Sequence, residues 1–192
     1  MYSGSTVVLT GVGGKGQVGE AVAAAFAKVG ASLVLVDRTA EKVEARAAEL
    51  RRDGQSARGY GCDLTDPNDV ASLVDRVRAN HGEGVHALVH MAGGFAMSGP
   101  VAESAFDVWN RMLSINLTTT LLVTRAFLPA LRRTRGAIVL FASQAALPAG
   151  SPANMSAYTI AKTGVAVLAR AIAAEERDTG VRANAVAPTF QF

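Results

Sequence analysis

The sequence predicts an α/β fold, a doubly wound parallel sheet in a single domain. Three observations carry this prediction. Short runs rich in Val, Leu and Ile alternate with longer helical patterns along the whole chain, and that alternation builds a parallel sheet with helices on both faces. The apolar runs show no inside–outside periodicity, as expected of strands covered on both sides. No linker, low-complexity stretch or shift in composition divides the 192 residues, a length that one core accommodates.

The elements follow in order. STVVLT (5–10) reads as a buried strand, EAVAAAFAKV (20–29) as a helix ending near Gly30, and SLVLVD (32–37) as a second strand. AEKVEARAAELRR (40–52) is a helix closed by Asp53-Gly54, and ARGYGCD (57–63) is a weaker third strand. In DPNDVASLVDRVRAN (66–80), Asp66 is a natural N-cap and Pro67 suits the first helical position. VHALVHM (85–91) is the fourth strand, a long helical region runs from about Ala105 to Arg133, and AIVLFA (137–142) is the fifth strand. A helix over 155–178 and a sixth strand, VRANAVA (181–187), complete the pattern.

Bulk properties narrow the function classes. Hydrophobic residues at 49% against 18% charged argue for a packed core and against disorder. There is no long uncharged apolar span, and MYSGSTVVLTG lacks a basic segment followed by an apolar core. The expectation is therefore neither membrane insertion nor secretion. The single cysteine, Cys62, cannot form an internal disulfide, which fits a cytoplasmic setting. Net charge is only +3, and the basic cluster Arg132–Arg135 has no interleaved aromatics. It reads as the cationic end of a helix rather than as a nucleic-acid patch.

The chemistry begins in "TGVGGKGQVGEA", Thr10 to Ala21, which holds two overlapping G-x-G-x-x-G patterns, one on Gly11, Gly13 and Gly16, the other on Gly14, Gly16 and Gly19. Alone, such a match is weak. Here it lies between a strand and a helix, where missing side chains let a diphosphate approach the backbone and the helix N-terminus offers N–H donors. The second strand ends in Asp37, 21 residues after Gly16, where a carboxylate can accept from ribose hydroxyls. That charge favours NAD(H) over NADP(H), because it repels a 2′-phosphate. Arg38 and Lys15 would favour the phosphate, so NADP(H) stays open as the second cofactor.

A second constellation lies far down the chain. Tyr158 and Lys162 in "YTIAK" stand one helical turn apart on one face. A nearby lysine cation would lower the phenol's pKa from ~10 and make it a usable acid/base. Ser143, 15 residues before Tyr158, falls just past the fifth strand, at the carboxyl edge where open α/β sheets bind ligands.

With these motifs the chain resembles the short-chain dehydrogenases/reductases over nearly its whole length. The likeness runs through Thr10, Gly11, Gly16 and Gly19, then Asp37, Asp63-Leu64 and Ala92-Gly93-Gly94. It continues through Asn116, Ser143, Tyr158, Lys162 and the strand ending at Pro188. The resemblance implies a Rossmann-like sheet and a catalytic set of Asn116, Ser143, Tyr158 and Lys162. Tyr158 would move the hydroxyl proton and Ser143 would orient the substrate oxygen. Lys162 would hold the nicotinamide ribose, and Asn116 would anchor a water linking Lys162 to solvent. Cofactor contacts are expected from Gly11, Gly16, Gln17, Val18, Asp37, Arg38, Asp63, Leu64, Ala92, Gly93, Gly94, Tyr158, Lys162 and Pro188. The implied reaction is hydride transfer between nicotinamide and a carbonyl/secondary alcohol pair. The small-molecule substrate would meet apolar walls near Phe95, Met97, Leu147 and Met155. A homo-oligomer, dimer or tetramer, is also implied, through the apolar faces of the 105–133 and 155–175 helices. No metal site is expected.

The chain departs from the family pattern in places. The glycine loop is two residues longer than usual, with Gln17 where a middle glycine is usual. His90-Met91 replaces Asn-Asn, so His90 is expected as a strand-end residue rather than a catalytic base. The stretch between Ser143 and Tyr158 is long, and Thr189 follows Pro188 in place of glycine. The family usually continues through a helical lid and one more strand, whereas this sequence stops at Phe192, giving the expectation that both are absent. Two other readings compete with the dehydrogenase: a dinucleotide-binding sensor or scaffold with little catalysis, and a ketoreductase for an acyl chain on an acidic carrier protein greeted by Arg125, Arg132 and Arg133.

Overall fold

The computed structural model describes residues 3–189. Six strands form one parallel sheet: β1 (Thr6–Thr10), β2 (Ser32–Asp37), β3 (Ala57–Gly61), β4 (Ala87–His90), β5 (Ala137–Phe141) and β6 (Arg182–Val186). Their spatial order is β3-β2-β1-β4-β5-β6. The order reverses between β1 and β4, so a crevice opens at their carboxyl ends. Thr10, paired with His90, sits at that point.

The helices are α1 (Val18–Lys28), α2 (Ala40–Arg52), α3 (Pro67–His81), α4 (Phe106–Leu113), α5 (Thr119–Thr134) and α6 (Ser156–Glu175). Two cores result, one on each face of the sheet. On one face Ala23 and Ala27 of α1 and Val43 and Ala47 of α2 pack on Val7, Leu9, Leu33 and Leu35. Small residues on α1 let the helix lie close to the strands beside the glycine loop. On the other, larger face, Leu73 of α3, Phe127 and Leu131 of α5 and Val165 of α6 pack on Val8, Val34, Leu88 and Leu140. Strands buried from both sides explain their unbroken apolar runs.

Asp66 caps α3 as its position suggests, accepting from the Asn68 N–H at 2.8 Å with Pro67 beginning the helix. The long helix expected from Ala105 to Arg133 differs in one respect. A π-helical turn, Ser114–Thr118, separates α4 from α5 without a break in the right-handed course. Arg132 meets the expectation of a helix-end cation: its guanidinium donates to both Glu176 carboxylate oxygens, at 2.8 and 2.6 Å. Helix α6 is long and apolar enough to cross a membrane by length and composition. Here, however, its Ala157, Ala161, Val165 and Ala169 are buried within the protein.

Candidate active site

At the carboxyl edge a groove runs across the switch point. One end is a cavity of about 650 Å³ lined by Gly11, Gly16, Gln17 and Val18 on one side and Asn116, Tyr158 and Lys162 on the other. An adjoining cavity of about 390 Å³ is lined by Asp37, Arg38, Asp63 and Leu64. Gly11, Gln17, Gly93 and Gly94 belong to both. Ala92 lines the second and Pro188 the first. Every residue expected at the cofactor therefore borders one groove, although the motifs are spread over most of the chain.

Glycine makes the groove narrow where it must be. Gly11 leaves β1 with φ +76°, and a Cβ there would stand 2.7 Å from the Ala92 nitrogen. The first strand exit thus lies against the exit of β4, which only a residue without a side chain permits. Gly93 plays the same part deeper in: a Cβ would stand 2.5 Å from Asn116 Oδ1 and 3.4 Å from Lys162 Nζ. The Gly13 N–H donates to Asp37 Oδ2 at 2.9 Å, so the glycine loop is tied to the end of β2. Asp63 accepts from the Thr65 N–H and hydroxyl at 2.9 and 2.7 Å, which holds its carboxyl below the usual carboxylate range.

The second constellation closes the other end. Helix α6 places Tyr158 and Lys162 against the carboxyl end of β5, both almost fully buried. Lys162 Nζ donates to the Phe141 carbonyl at 2.8 Å and lies 5.9 Å from the Tyr158 ring centre. Burial pushes Lys162 down to about 8. Burial also raises the Tyr158 hydroxyl above its ordinary value, opposed by a hydrogen bond with Ser143. This corrects the expectation that Lys162 lowers the phenol: burial dominates, and what opposes it comes from Ser143 rather than from Lys162. Ser143 itself is 1% exposed, accepting from the Ala145 N–H at 3.3 Å, and does not form part of the cavity wall.

Asn116 lies within the π-helical turn and is fully buried. Its side chain accepts from the Gly94 N–H at 3.2 Å and donates to the carbonyls of Gly94 and Met112 at 2.9 and 3.0 Å. It therefore clamps the exit of β4 to α4. His90 behaves as a strand-end residue: it is buried between the hydroxyls of Thr10 and Thr119, at 2.9 and 3.4 Å, and burial drives it down to about 3. Of the apolar walls expected for the substrate, Phe95 lines the cavity and meets the Tyr158 ring edge-on, centres 5.1 Å apart. Met97 and Leu147 are about half exposed, and Met155 packs beside Met112 and Tyr158. Arg111, Ile115 and Thr119 also border the groove. They lie on α4, the π turn and α5, where the sequence shows only ordinary helical spacing.

A family model described as short chain dehydrogenase matches residues 5–191. The chain belongs to the short-chain dehydrogenase family. D-threitol dehydrogenase of Mycolicibacterium smegmatis is 39% identical over 173 residues, covering 90% of this chain and 65% of that relative. A solved NAD+-bound xylitol dehydrogenase superposes with a TM-score of 0.91 at 31% identity, over 98% of this chain and 71% of its own. A metagenomic short-chain oxidoreductase in complex with NADP gives 0.89 at 32% identity, over 98% of this chain and 84% of its own. This chain thus spans just under two thirds of the length of the threitol dehydrogenase.

Proposed function

We propose that this short-chain dehydrogenase transfers hydride between a nicotinamide cofactor and a small carbonyl/secondary alcohol substrate, with Tyr158 as the acid/base. The observation that carries the reading is the convergence of Tyr158, Lys162 and Asn116 with the glycine loop on one cavity.

The groove suits a dinucleotide in volume and in its floor, where Gly11, Gly16, Gly93 and Gly94 contribute backbone without side chains. The α1 N-terminus and the glycine loop would hold the diphosphate. Asp37 would accept from the ribose hydroxyls, and Asp63 and Leu64 would border the adenine. Bound nicotinamide supplies or accepts the hydride. NAD(H) is the favoured cofactor, because the Asp37 carboxylate stands at the ribose end and repels a 2′-phosphate.

In the reducing direction Tyr158 donates its hydroxyl proton to the substrate oxygen as the carbonyl carbon gains hydride, and in oxidation it takes that proton back. A raised Tyr158 value keeps the phenol protonated and ready to donate at neutral pH. Ser143 steadies the hydroxyl from one side. Phe95 stands perpendicular to the Tyr158 ring and gives the pocket an apolar wall, which favours a substrate with hydrocarbon next to its carbonyl. Self-association is proposed through the outer apolar residues of α5 and α6, Leu121, Ile160 and Val167, each about half exposed.

Calorimetric titration with NADH and NADPH, followed by turnover of Tyr158→Phe, tests the reading. The variant should lose turnover about 10²-fold or more while binding NADH as the parent does. Binding of neither dinucleotide by the parent chain overturns the dehydrogenase reading. Equal turnover by the variant overturns the role of Tyr158.

A further inference from the structure

Arg111 projects from α4 toward the half of the groove that also holds Asp37, Arg38 and Asp63, together with Ile115 and Thr119. The surrounding charges are accounted for, and Arg111 is not. Asp37 accepts from the Gly13 and Thr39 N–H groups, at 2.9 and 3.4 Å. Asp63 accepts from Thr65 and is the acid that Arg38 acts on. Lys162 donates to Phe141. Among the described residues no carboxylate pairs with Arg111, and no hydrogen bond occupies its guanidinium.

A structural explanation would be a cation in the last turn of a helix, answering its free carbonyls. That explanation fails here. The chain stays right-handed helical from α4 through the π turn into α5, and the Asn110 and Arg111 carbonyls accept from the Ser114 N–H. The carbonyls of Arg111 and its neighbour Asn110 are thus already taken. Two guanidiniums, Arg38 and Arg111, border one groove, and among the described residues neither forms a salt bridge or a hydrogen bond there, an arrangement that an anion in the groove would stabilise.

Resting on the dinucleotide reading above, we propose that Arg111 contacts a phosphate of the bound cofactor, from the wall opposite the glycine loop. The phosphate is either the diphosphate, present in both cofactors, or the 2′-phosphate of NADP(H). The test is calorimetry of Arg111→Met, which keeps the apolar stem, against the parent chain at low and high salt. Loss of about tenfold in affinity for NADH and NADPH alike assigns the diphosphate. Loss for NADPH alone assigns the 2′-phosphate. In either case the gap should narrow with added salt, as a charge contact at a solvent-open groove must. Unchanged affinity overturns the proposal, and so does a gap that salt leaves untouched, since that would mark lost packing. If the parent chain binds neither dinucleotide, the dinucleotide reading fails first and this inference with it.

Discussion

His90 shows how a single side chain is fixed by its surroundings. Thr119 donates its hydroxyl proton to the Ile115 carbonyl at 2.9 Å, so toward His90 its oxygen can only accept, from Nε2–H. Nδ1 then accepts from Thr10, whose oxygen in turn accepts from the Ala92 N–H at 3.3 Å. The neutral ring therefore links β1, the exit of β4 and the start of α5. Burial, and after it the Lys162 charge, drives the value to about 3, and protonation would also cost the ring its acceptor. The unfolded chain binds this proton near pH ~6.5, so the stability that the neutral ring contributes is complete above that pH. It is lost as pH falls toward 3, by about 1.4 kcal/mol per pH unit. Denaturant unfolding of His90→Asn across pH 4–7 should show an acid slope shallower by about one proton. An unchanged slope would mean that His90 is not the group responsible.

At the scale of elements, the glycine loop is held by α1 and α2 together. Glu20, in the first turn of α1, accepts from the Gly16 N–H at 2.5 Å and from Arg46 of α2 at 2.5 Å. Arg46 is also paired with Glu49 at 2.7 Å. The hydrogen bond from Gly16 and the Arg46 charge hold the Glu20 carboxyl below its usual value. The extended loop is therefore tied at both ends, to Asp37 through Gly13 and to α2 through Glu20. Glu20→Ala should weaken NADH binding about fivefold by freeing the loop, with the circular dichroism spectrum unchanged. Equal affinity in calorimetry would show that the loop keeps its shape without this tie. The π turn does comparable work on the opposite wall: it carries Asn116, whose side chain clamps Gly94.

For the whole molecule, the larger of the two cores holds the greater share of the buried apolar side chains. Phe127 is fully buried there, among residues from α3, α5, α6 and the sheet. Phe127→Ala should cost about 3–5 kcal/mol through lost burial and the cavity left behind. That corresponds to a fall of about 10 °C in Tm for a chain of this size, which a thermal melt would read directly. The opposite face is less complete over β5 and β6. Ala183 is buried, but its neighbours Arg182 and Asn184 are exposed and Val186 is 40% exposed. In the parallel register Arg182, Asn184 and Val186 stand beside Ala137, Val139 and Phe141. Both helices of the smaller core, α1 and α2, pack on the strands nearer β1.

Legible in the chain alone were the strand–helix alternation, the glycine loop between β1 and α1, the strand-end positions of Asp37 and Ser143, and the one-turn spacing of Tyr158 and Lys162 on a helix. Each depends on local chemistry: strand propensity, absent side chains, or the periodicity of a helix. What those groups experience is set by the folded chain. Whether the Tyr158 phenol is lowered by Lys162 or raised by burial depends on desolvation and on charges brought from other elements. The same holds for Ser143, whose position just past β5 was legible but whose enclosure was not. The π turn around Asn116 has no local signature, because Ser-Ile-Asn-Leu-Thr is compatible with an ordinary helix. Arg111 likewise looks like any helical arginine until the fold brings it to the same cavity as Asp63 and Arg38, across more than forty residues of chain. Electrostatic environment and enclosure are sums over the whole fold, and no local pattern contains them.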